Sequence, residues 1–89
     1  MAANLEDITA WLSDGKIREK ELKRNITHMI VVCDTFDYDD YPVYVSSLEN
    51  VREVFNEYDG KNMQQVMEVY SYRRDLNEQL RQGRAFCFD

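Results

Sequence analysis

Eighty-nine residues supply one domain with one modest core, burying roughly 60–65% of the surface the unfolded chain exposes. With 44% hydrophobic and 12% aromatic residues, the chain carries enough apolar area to offset its conformational entropy, which excludes an intrinsically disordered segment. The net charge of −6 is segregated: residues 34 to 60 hold eight acids against the single base Arg52, a local charge of −7, and the remainder sums to +1. That face excludes direct nucleic-acid binding, because phosphate contacts need Lys and Arg, and it suits a basic protein partner.

The whole of 1–89 reads as a single domain, a helical segment (1–25) followed by an α+β core (26–89). Asn4 caps a first helix with Asp7 three residues on, and Leu5, Ile8 and Leu12 repeat at helical spacing beside Trp11. Gly15 is either a stop or a close-packing point. KIREKELKRN (16–25) continues the helix as a charged, solvated face. ITHMIVVC (26–33) is apolar on both faces and predicts a central strand. YPVYV (41–45) predicts its hairpin partner, held towards an edge by Pro42, which has no N–H to give to a ladder.

Ser46 and Glu49 fit a capping box for a second helix with Leu48, Val51, Phe55 and Tyr58 on one stripe, ended by Asp59-Gly60. Residues 63–72 alternate as a third strand. Asp75 opens a short helix stopped by Gly83, and AFCF (85–88) predicts a closing strand. The expected order is α-β-β-α-β-α-β, a largely antiparallel sheet with helices packed on one face. An uncovered AFCF edge would pair with a second copy and make a homodimer.

No run approaches eighteen apolar residues, and MAANLEDIT lacks a basic segment followed by an apolar stretch. The expectation is therefore no signal peptide, no membrane span and a cytoplasmic protein. In that setting Cys33 and Cys87 are two buried thiols rather than a disulfide.

THMIVVCDTFDYDDYPVYV, with the later YDGKNMQQVMEVY and GRAF, resembles a small family of uncharacterised proteins from bacterial and phage genomes. The likeness covers roughly residues 10 to 88. It implies no activity and carries over no functional residue. It implies a context only, that of a small accessory protein borne by a phage or a mobile element.

Function concentrates in CDTFDYDDYP (33–42), where four aspartates and three aromatics follow the apolar strand. Tyr38-Asp39-Asp40 between two strands is similar to the aspartate hairpin of polymerase palm domains, which hold Mg²⁺ on paired carboxylates. A chain of 89 residues is too short to hold template and nucleotide as well. An EF-hand loop would need a glycine at its sixth position, where none stands. His28 and Cys33 fall on opposite faces of a strand, so neither a zinc site nor a Cys–His nucleophile forms. No metal, cofactor or catalytic residue is expected.

Three readings remain. The stretch is an interaction surface in which Asp37, Asp39 and Asp40 steer while Phe36, Tyr38, Tyr41 and Tyr44 anchor, the acids mimicking a phosphate backbone towards a basic host protein. Or it is a solvated turn whose aspartates bond loop amides. Or function lies elsewhere, in a nucleotide- or small-ligand module where Tyr41, Tyr44, Tyr70 and Tyr72 stack on a ring and Arg73, Arg74 or Arg84 takes a phosphate.

Overall fold

The computed structural model describes residues 4–82 and 84–89. Its elements run α1 (Leu5–Leu22), β1 (Ile26–Asp34), β2 (Asp39–Ser46), α2 (Val51–Tyr58), β3 (Gln64–Ser71) and α3 (Leu76–Arg81). The three strands form one antiparallel sheet in the order β2-β1-β3. This is an α+β domain. The expected Gly83 stop of α3 lies outside the described residues.

The central strand decides the layering. Alternate β1 side chains point to opposite faces, and its apolar run is buried on both. Met29 and Val31 meet Ile8 and Leu12 of α1 and, through Tyr70, Leu76 and Leu80 of α3. Ile30 and Val32 meet Val54, Phe55 and Tyr58 of α2. The expectation of helices on one face is therefore corrected: α1 and α3 cover one side and α2 the other. A strand with apolar side chains on both faces needs two lids, since a bare face would leave Ile30 and Val32 in water at about 1.5–3 kcal/mol each.

The α1 cap forms as read, with Asn4 Oδ1 accepting the Asp7 amide at 2.8 Å. The helix runs unbroken through Gly15, which is buried, so this glycine is a packing point rather than a stop. Tyr44 of β2 donates its hydroxyl to the Trp11 carbonyl at 2.6 Å, and Tyr72 donates to the Leu12 carbonyl at 2.7 Å. Both rings stand over Gly15, and Lys16 and Arg18 lie across their faces at 5.0 and 5.2 Å from the ring centroids.

α2 starts later than the Ser46–Glu49 box predicts. The box is made: Glu49 Oε1 accepts the Ser46 amide (3.1 Å) and Ser46 Oγ accepts the Leu48 amide (3.3 Å), yet it closes a turn. The helix cap is Asn50, whose Oδ1 accepts the Arg52 and Glu53 amides. Leu48 is left exposed and off the stripe.

A bulge in β3 between the partners of Val31 and Val32 turns Val66 and Val69 to the α2 side and Glu68 and Tyr70 to the α1 side. The closing strand shrinks to a single parallel bridge, Val69 to Phe86, with Val69 bonded at both N and O to the tail. Two residues on, the Gln79 side chain takes the place of a neighbouring strand, its Oε1 accepting the Ser71 amide (2.7 Å) and its Nε2 donating to the Ser71 carbonyl (2.9 Å). The chain thus covers its own β3 edge at these two residues. Cys33 and Cys87 are free thiols, the first buried and the second half-buried.

Candidate functional site at the hairpin tip

Asp34 and Asp39 face each other as the last pair of the β1–β2 ladder, leaving Thr35–Tyr38 as the loop. Asp34 closes it: its Oδ1 accepts the Phe36 amide (2.9 Å) and its carbonyl accepts the Tyr38 amide (2.6 Å). The geometry forces Tyr38 into the left-handed region at φ 59°. A second loop lies beside it, where Asn62 (φ 53°) and Met63 (φ 60°) are left-handed in succession. One oxygen joins the loops: the Met63 carbonyl accepts both the amide and the hydroxyl of Thr35, each at 2.8 Å.

This end of the sheet presents Phe36 at 70%, Tyr38 at 65% and Met63 at 59% exposure. Asp37 and Asp39 are exposed among them. Large apolar side chains held in water on left-handed backbone are costly twice over, in solvation and in local strain.

Three residues assigned to the same surface belong to the scaffold instead. Asp40 is half-buried opposite Cys33, whose thiol is pushed up by burial first and by a hydrogen bond with Asp40 second. Tyr41 is half-buried on the α2 side, where Gln64 Nε2 donates to its hydroxyl. Tyr44 is spent on α1. Period-2 alternation puts Tyr41 and Tyr44 on the two covered faces, which is the physical reason neither is an anchor. Met63 is the residue sequence reasoning missed; an apolar side chain directly after the turn-forming DGKN is its only signal.

The alternative ligand set does not assemble. Tyr70 is 2% exposed and donates its hydroxyl to Glu68 Oε1 (2.7 Å), so its ring has no face to stack on a base. Tyr72 is turned onto α1. Arg74 pairs with Asp89, and Arg84 reaches the Met67 carbonyl (3.4 Å) and lies over Phe86. Arg73 lines a separate cleft beside His28. A larger open groove of about 660 Å³ runs between the second half of α1 and β2. Among the described residues no three His, Cys, Asp or Glu side chains gather as metal ligands, and no helix is long and apolar enough to cross a membrane.

No family model matches the chain, and no solved structure matches it. It is similar to a protein of Acanthamoeba polyphaga mimivirus named "Putative glutamine synthetase", with 25% identity over 93 aligned positions. The match takes in 96% of this chain and 26% of that protein, so the chain spans about a quarter of the relative's length.

Proposed function

We propose that this protein is a non-enzymatic accessory module of the cytoplasm that docks on a basic protein surface through its hairpin tip. Phe36, Tyr38 and Met63 are the anchors, and Asp37 and Asp39 steer the encounter. One observation carries the reading: two separate loops, tied by Thr35 to the Met63 carbonyl, each hold a large exposed apolar side chain on left-handed backbone. A solvated turn has no use for that expense, whereas strained backbone and exposed aromatics recur together at binding surfaces. The acidic segment adds a field that speeds approach to a basic partner and repels nucleic acid.

The test is a benzophenone amino acid in place of Phe36, with a second chain carrying it in place of the exposed Asn77 on α3. Irradiation in host lysate gives a discrete crosslinked protein from position 36 and none from position 77. The same crosslinks from both positions, or none from 36, would contradict the proposal.

A further inference from the structure

At the opposite end of β1 from the acidic tip lies a cleft of about 260 Å³, walled by the start of α2, the C-terminal tail and β1. Arg52 and Arg73 stand on its rim. Arg52 is held across the Phe88 ring, its guanidinium carbon 4.4 Å from the centroid, and Phe88 is fixed in turn edge-on to Phe55. Between them His28, 3% exposed, lines the cleft, and its Nε2 has no hydrogen-bond partner among the described residues. Buried polar atoms are almost always paired, so an orphaned ring nitrogen beside two guanidinium groups needs a reason.

The proton count on the ring supplies one. When Thr27 gives its hydroxyl proton to the Val45 carbonyl (3.4 Å), the ring donates from Nδ1, 2.9 Å away, and Nε2 of the neutral ring offers a lone pair to the cleft; when Thr27 donates to Nδ1 instead, Nε2 carries the proton. Burial and the Arg73 charge hold the ring neutral, against the opposing pull of the Phe88 and Asp89 backbone and the Asp89 charge. A group that brings both negative charge and a proton satisfies all three side chains. A phosphate monoester does so, its P–O–H donating to Nε2 while its other oxygens accept from the guanidiniums.

We propose that the cleft between His28, Arg52 and Arg73 binds a phosphoryl group on a short stem. The volume admits the phosphate and the further atoms of its stem. Asn50 already takes the Arg52 and Glu53 amides, so the site rests on the side chains more than on the α2 terminus. Glu49 also lines the cleft, with one oxygen engaged by the Ser46 amide; it disfavours a fully charged dianion and favours the protonated form.

His28 is the one histidine of the chain, so its ring resonances are unambiguous in an NMR titration. Inorganic phosphate is added at constant ionic strength against chloride, followed by glycerol 3-phosphate and by a blocked phosphoserine. The expected result is a saturable shift of the ring signals with phosphate alone, with His28 titrating at higher pH when the site is filled. Arg52→Gln and Arg73→Gln, both at exposed positions, each weaken binding about tenfold. Tighter binding of glycerol 3-phosphate makes the source a small metabolite; tighter binding of phosphoserine makes it a modified protein. Ring signals that move equally with chloride, or an Arg52→Gln/Arg73→Gln double variant that binds phosphate unchanged, would overturn the proposal.

Discussion

Thr35 gives both its amide and its hydroxyl to a single acceptor, the carbonyl of Met63. The contact spans 28 residues and fixes the hairpin tip to the α2–β3 loop. Thr35→Val keeps the shape and the amide bond and removes the hydroxyl bond. It should lower stability by about 0.5–1.5 kcal/mol in urea denaturation. It should weaken partner binding by more than that loss of fold explains, because the two anchoring loops no longer share a frame.

Tyr38 separates strain from binding. Left-handed backbone costs a tyrosine roughly 1–2 kcal/mol, and glycine escapes that cost but loses about 0.5–1 kcal/mol through a freer unfolded chain. Tyr38→Gly should therefore recover backbone strain that offsets what the side chain's own interactions contribute, leaving stability within about 1 kcal/mol of the parent. Partner affinity should fall by about 2 kcal/mol or more, the loss typical of an aromatic anchor. Calorimetric melting alongside a binding titration reads both. Loss of stability with binding intact would reverse the assignment.

Gly15 sets helix propensity against packing. In an exposed helix, alanine is better than glycine by about 0.8–1 kcal/mol. Here a Cβ would strike the Tyr72 hydroxyl and come within 2.8 Å of Tyr44 Cε1. The clash wins, and Gly15→Ala should destabilise by about 1–3 kcal/mol. A melting temperature that rises in this variant would mean that α1 does not lie on the two tyrosines.

Glu68 and His28 make opposite demands on pH. Burial raises the Glu68 carboxyl above its ordinary value, with Tyr70, Arg84 and the Ala85 backbone pulling the other way. Its favourable contribution is thus complete below the ordinary value of 4.5 and disappears as pH rises through the higher folded value. Glu68→Gln keeps an acceptor for Tyr70 and should be more stable than the parent at pH 7, with the difference closing as pH falls towards 4.5. His28 is lowered from 6.5, so its contribution is complete above that pH and is lost as pH falls through the folded value. His28→Gln should flatten that part of the curve. Denaturation midpoints across the range check both signs.

The regular elements were legible because their signals are local. The alternation of YPVYV, the Asn4 cap and the Asp75 cap at α3 act within a few residues, and the structure forms them there. ITHMIVVC carries apolar positions on both faces, yet the expected fold has the helices on one face only, because a strand does not say which helix covers which side. Long-range competition decided the rest. Asn50 displaced the Ser46 box as the α2 cap, and the β3 bulge brought Val66 and Val69, three residues apart, onto one face. No window of sequence sees Met63 arrive beside Thr35, since a bond across 28 residues places it there. For the same reason Tyr41, Tyr44 and Tyr70 looked like ligands or anchors when each is bonded into the scaffold.

The central claim is that the tip docks on a basic protein. The most direct measurement captures partners from host lysate on immobilised protein at about 0.02 M and about 0.15 M salt, where the screening length shortens to about 8 Å. The parent chain runs beside an Asp37→Asn/Asp39→Asn variant and a Phe36→Ser/Met63→Ser variant. One basic protein should be retained by the parent, reduced by salt, reduced further in the aspartate variant and absent from the anchor variant. The same proteins held equally by all three chains would contradict it.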